Sequence, residues 1–132
     1  MDGVVISFGG EIEANSAQAA GLTFLVQEAV VTFQFAIPGS QVSFIVPWAA
    51  YNERGSGVDG RNYDYKAIGN LVDYLLVASF DVQSQVFPDR VDNECYARSN
   101  SGFGATAGGL WSYIHLGIPS QKLVMVQPWF VG

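Results

Sequence analysis

Cysteine and histidine are almost absent: the 132 residues contain one of each, Cys95 and His115. One thiol excludes an internal disulfide framework and a cysteine-based zinc site. One imidazole excludes a multi-histidine metal site. Neither a metal nor a cofactor is expected. Charge is the second scarcity, at 14% of residues, where roughly a quarter is usual. The six bases, Arg54, Arg61, Lys66, Arg90, Arg98 and Lys122, are scattered and face 12 acids, for a net charge of −6. A nucleic-acid groove needs clustered Lys and Arg, so nucleic acid is excluded as a partner. The opening Met-Asp-Gly-Val-Val shows no basic stretch or cleavage site of a signal peptide, and no Asn-x-Ser/Thr sequon occurs. The most apolar stretch, residues 22–37, contains Gln27, Glu28 and Gln34. It falls short of the ~20 residues a membrane span needs, so a buried helix is expected and no membrane span.

What is present is core material. Hydrophobic residues make up 49% of the chain and aromatics 14%, which excludes intrinsic disorder, and the length suits one domain. Residues 4–8 are a short apolar run broken by Gly9-Gly10, read as a strand. Ser16 is placed to cap a helix reaching residue 36, which Ile37-Pro38-Gly39 ends. Residues 42–46 form the next strand, closed by Pro47-Trp48; a loop over 49–62 and a short helix over 63–70 follow. Residues 74–80 read as a strand, 81–104 as a long loop, 105–116 as a helix and 123–126 as a last strand. Apolar strands alternating with helices predict a parallel sheet in an α/β fold.

Three segments carry a family resemblance. They are Ala36-Ile-Pro-Gly-Ser-Gln-Val-Ser-Phe44, the run from Asp73 through Ala78-Ser79-Phe80-Asp81 to Phe87, and Pro119-Ser-Gln-Lys-Leu-Val-Met-Val-Gln-Pro-Trp-Phe130. They resemble the fifth, sixth and seventh strand regions of glycoside hydrolase family 18, the chitinase barrel. Asp2-Gly3 then falls at the start of the fourth strand. The resemblance implies a partial (β/α)8 barrel of about four parallel strands and three helices, open unless completed by another segment or chain. A closed barrel takes ~250 residues, and open strand edges are avoided by natural proteins. Residues 1–132 are therefore expected to be half of a barrel, as part of a longer protein in preference to a half-barrel completed by another chain. The resemblance also implies an extracellular or lumenal, including lysosomal, setting.

The family's fourth-strand motif reads Asp-Gly-x-Asp-x-Asp-x-Glu. Alternate strand residues share a face, so the motif lines carboxylates along the barrel interior. The last one protonates the leaving oxygen, while the substrate's acetamido group serves as nucleophile. Here Asp2 matches the first position, but Val5, Ser7 and Gly9 stand where the second Asp, the third Asp and the catalytic Glu belong. Glu11 and Glu13 have the parity to substitute only if the strand continues past Gly9-Gly10; otherwise they are loop acids. The sixth-strand Met-x-Tyr-Asp becomes Ala78-Ser79-Phe80-Asp81, and the usual seventh-strand Tyr becomes Phe130. Asp81 is a candidate sugar-facing carboxylate or a strand-end Asp bonded to loop amides.

Aromatic and apolar residues supply the other candidates. Trp48 and Trp129 follow strand ends, where this barrel keeps its site. With Asp81 and Phe80 they are candidate sugar-binding residues, and Tyr51 and Phe87 lie nearby in the sequence. A core position is preferred for Trp129, and packing is expected for Trp111. His115 reads as a helix C-terminal residue near the favourable dipole end. Cys95 falls in the long loop. The long helix is apolar nearly all round, with Glu28 its single charge. One stripe, Leu22, Leu25, Val26, Ala29 and Phe33, suits the sheet. A second, Phe24, Val31 and Phe35, is a candidate interface, because a helix apolar on all sides should be covered on all sides. Two functions follow. The first is a non-catalytic chitinase-like protein with an assembly or glycan-binding role, its partners a chito-oligosaccharide or N-glycan fragment and a protein or further segment. The alternative is an active hydrolase on N-acetylglucosamine-containing glycans that uses a displaced acid such as Glu11.

Overall fold

The computed structural model describes residues 2–52, 54–80, 82 and 100–129. Four strands, β1 (Gly3–Ile6), β2 (Gln41–Val46), β3 (Tyr74–Ala78) and β4 (Leu123–Val126), alternate with three helices, α1 (Ala17–Ala36), α2 (Tyr65–Leu71) and α3 (Phe103–His115). All neighbouring strands are parallel and lie in sequence order, β1-β2-β3-β4. Each strand thus pairs with the next one in the chain, which is how a barrel is wound; a doubly wound sheet would reverse direction partway.

Side-chain alternation explains where the core sits. Val4 and Ile6 pair in register with Val42 and Phe44, and Phe44 and Val46 with Leu75 and Val77. These residues share one face. They join Ala19, Leu22, Val26 and Val30 of α1, Ile68 of α2 and Tyr113 of α3 in a single core. The opposite face carries Val5, Ser43 and Leu76, and Val5 is 51% exposed.

Local chemistry sets the helix ends. Ser16 Oγ accepts from the Ala19 N–H at 3.2 Å, and Asp64 Oδ1 accepts from the Ala67 N–H at 2.9 Å, each satisfying a helix-start donor. Asp64 as cap delays α2 to residue 65. Lys122 Nζ donates to the Gly69 and Val72 carbonyls at 2.9 Å each, a cation at the carbonyl end of α2. Asp73 Oδ2 accepts from the Val42 N–H at 2.7 Å and ties the start of β3 to β2.

Several expectations about apolar residues are corrected. Sheet and helices cover α1 on one side, where Ala19, Leu22, Val26 and Val30 are buried, and the candidate interface residues Phe24, Val31 and Phe35 are exposed. Leu25, assigned to the sheet stripe, is exposed, and Val30 packs instead. The helix runs 20 residues and is long and apolar enough to cross a membrane by length and composition, so the expectation that this stretch is too short fails. Trp111 on α3 is exposed, and Trp129, expected in the core, is fully exposed beyond β4.

Candidate functional site

Parallel strands place their C-terminal ends along one edge. Ser7 and Gly9 follow β1, Trp48 follows β2, Phe80 follows β3 and Trp129 follows β4. Asp2 lies at the other end of β1, where its carbonyl accepts from the Gln41 N–H at 2.6 Å. Asp81, Phe87, Cys95 and Phe130 lie outside the described residues.

The segment after β1 is held by a tyrosine. Tyr63 Oη donates to the Phe8 carbonyl at 3.2 Å and the Gly10 carbonyl at 2.5 Å, and its ring lies 5.8 Å from that of Phe8. Those carbonyls turn away from the ladder, so the strand stops at Ile6 and residues 7–10 run on unpaired. The loop is then stitched to the segment before α2: Ile12 pairs with Arg61, and the Ile12 N–H donates to the Gly60 carbonyl at 3.0 Å. Glu11 is exposed and lies across Gly60, whose added Cβ would meet Glu11 Cγ at 3.1 Å. It does not lie on a continuation of β1.

Gly9 is exposed, its φ lies outside the left-handed region, and an added Cβ would meet only Arg61 Nη2, at 3.8 Å. Neither backbone nor space demands glycine there. A Cβ at Gly9 has room in the fold.

The segment after β2 is held from the opposite side. Tyr113 Oη donates to the Pro47 carbonyl at 2.7 Å, and Ser112 Oγ accepts from the Ala50 N–H at 2.9 Å. A Cβ added to Gly109 would overlap the Trp48 carbonyl oxygen. Trp48 is half-buried in consequence of this close approach. The two anchored segments connect through a row of touching rings, Tyr63 tilted against Tyr65 at 5.6 Å and Tyr65 edge-on to Tyr113 at 5.4 Å, with Phe44 edge-on to Tyr63. Burial raises the pKa of all three tyrosines, with Arg61 opposing weakly. Their hydroxyls are therefore protonated donors across the physiological range. This ladder was missed in the sequence, where the Tyr63-x-Tyr65 spacing is its one local trace.

After β3 and β4, Ser101 Oγ bonds the Ser79 carbonyl at 2.5 Å and Gln127 Oε1 at 2.9 Å. Ser79 is buried and Phe80 half-buried. A shallow recess of about 360 Å³, touching Ser40, Asp73, Tyr74 and Lys122, lies at the opposite, N-terminal edge. Among the described residues no group of three His, Cys, Asp or Glu side chains is placed to hold a metal.

The fold matches part of the barrel of glycoside hydrolase family 18 chitinases. A family 18 chitinase from Cycas revoluta in complex with (GlcNAc)4 superposes with TM-score 0.71 at 15% identity, over 94% of this chain and 36% of that one. A class V chitinase from Nicotiana tobaccum in complex with NAG4 gives TM-score 0.68 at 17% identity, over 94% and 35%. The sequence narrows this to a chitobiase-like relative. The chain is 38% identical to di-N-acetylchitobiase from Rattus norvegicus over 130 residues, 98% of this chain and 33% of that protein. Identity to the Homo sapiens di-N-acetylchitobiase is also 38%, over 98% of this chain and 31% of that protein. The chain spans about a third of the length of these relatives. No family model matches it.

Proposed function

We propose that this chain is a non-catalytic chitinase-like module that takes N-acetylglucosamine-containing glycans at its strand-end edge, as part of a barrel whose other strands lie elsewhere. The observation that carries this reading is Gly9, with Val5 and Ser7, along the β1 line where the family places its carboxylates. Glycosidic cleavage needs an acid beside the leaving oxygen, and a positioned acid is worth ~10²–10⁴ in rate. Glu11, lying over Gly60, supports no replacement. Phe80 offers a ring but no hydroxyl for an acetamido group. Trp48 and Trp129 supply the flat apolar surfaces that sugar faces stack on. The family likeness favours an extracellular or lumenal setting.

A fluorogenic chitobioside assay on the full chain tests the reading. Release of fluorophore at the uncatalysed rate is expected. Turnover that Glu11→Gln abolishes would establish a displaced acid and overturn the non-catalytic assignment.

A further inference from the structure

Arg61 is held by its backbone and left free by its side chain. Its N–H donates to the Val58 carbonyl at 3.0 Å, and its own carbonyl accepts from Tyr65 Oη at 2.6 Å. The flanking Asn62 N–H donates to the Ile12 carbonyl at 3.2 Å. The Cα position and stem direction are thus fixed from both sides. The guanidinium, by contrast, makes no ion pair among the described residues, and its Nε is buried without an acceptor. Two acids are near in the fold: Asp59 in the same turn and Glu11 across Gly60. Neither pairs with it. A half-buried guanidinium with open donors is uncommon, because arginine carries five N–H groups that need acceptors once water is removed.

What the guanidinium faces is the gap at Gly9. Nη2 sits 3.8 Å from where a Cβ would stand, and nothing else lies within 4 Å of that point. A carboxylate brought into the gap from solution would meet open N–H donors, and guanidinium binds carboxylate through paired, charge-assisted hydrogen bonds. The chain's net charge of −6 repels anions at long range, so such binding must be local to this cation and weaken with salt.

We propose that Arg61 and the space at Gly9 form a carboxylate-binding subsite, and that the glycan taken at this edge carries a hexuronate next to N-acetylglucosamine. The proposal rests on the glycan-binding reading above and adds the ligand's charge. Neutral amino sugars alone would leave the guanidinium without its acceptor.

Calorimetric titration of the full chain with two probes of equal length separates the claims. Hyaluronan hexasaccharide alternates N-acetylglucosamine with glucuronate, and chitohexaose is neutral. At low ionic strength the hyaluronan probe is expected to bind about tenfold more tightly, with the advantage shrinking as salt is added. Arg61→Gln should bring the two affinities level. Gly9→Glu should do the same by supplying an internal carboxylate to the guanidinium, and it keeps the test available if Arg61→Gln fails to fold. Equal affinities in the parent chain, or a hyaluronan preference that survives both substitutions, overturn the subsite while leaving glycan binding in place. Failure of both probes to bind overturns glycan binding and this proposal together.

Discussion

Two adjacent glycines in α3 should respond oppositely to the same substitution. Gly108 has nothing within 4 Å of an added Cβ, whereas at Gly109 the Cβ would overlap the Trp48 carbonyl oxygen. In a helix interior, Gly→Ala is intrinsically favourable by about 0.8–1 kcal/mol. Gly108→Ala should realise most of that gain and raise the melting temperature by about 4 °C. For Gly109→Ala the same gain is offset by overpacking of about 1–3 kcal/mol, because the opposing atom is backbone and cannot rotate aside. Retreat of the segment 47–50 would also stretch the bonds from Tyr113 Oη to Pro47 and from Ala50 to Ser112 Oγ, each worth about 1 kcal/mol net. The balance is a destabilisation of about 2–4 kcal/mol. Chemical denaturation with fluorescence detection reads both numbers, and displacement of Trp48 should change the native emission of Gly109→Ala alone. If Gly109→Ala were as stable as Gly108→Ala, the close approach of α3 to the β2 end would be wrong.

Two further tests address the ladder and the outer helix face. Burial raises the folded pKa of Tyr65 and Tyr113 above the ordinary value of 10. The unfolded chain therefore sheds these protons first, and stability, full below pH 10, should fall as pH rises beyond it. Tyr113→Phe should flatten that alkaline decline while costing about 1–3 kcal/mol near neutral pH, since the buried Pro47 carbonyl loses its donor. Unfolding curves at stepped alkaline pH, with tyrosinate absorbance, measure both effects, and an unchanged slope would contradict the burial of Tyr113. On α1, Phe24 is 62% and Phe35 89% exposed. Phe24→Lys with Phe35→Lys should change folding stability by less than about 0.5 kcal/mol but suppress self-association seen by size-exclusion with light scattering; a large stability loss would show that this face is packed within the fold.

Much of the fold is legible residue by residue. Ser16 as cap, the stop at Ile37-Pro38-Gly39, the apolar runs of β2 and β3, and the last strand over 123–126 all follow from local propensity and punctuation. The alternation of strand and helix then leaves parallel pairing as the arrangement that buries both. That Val5, Ser7 and Gly9 alternate without a carboxylate is also readable, because a strand pattern with period two is local.

Orientation and long-range contact are not local. A helix apolar on every face carries no phase, so nothing in residues 17–36 distinguishes Val30 from Leu25; the sheet covers one side and thereby chooses. Gly108 and Gly109 are alike in sequence, and only the approach of Trp48 separates them. Arg61 is one scattered base among six in the chain until the pairing of Ile12 with Arg61 brings two loops together and sets its guanidinium beside Gly9. The sequence by itself determined the order of elements and the parallel α/β class. The tertiary structure alone decided which side of α1 is covered and which cation faces Gly9, because those facts are contacts between residues far apart in the chain.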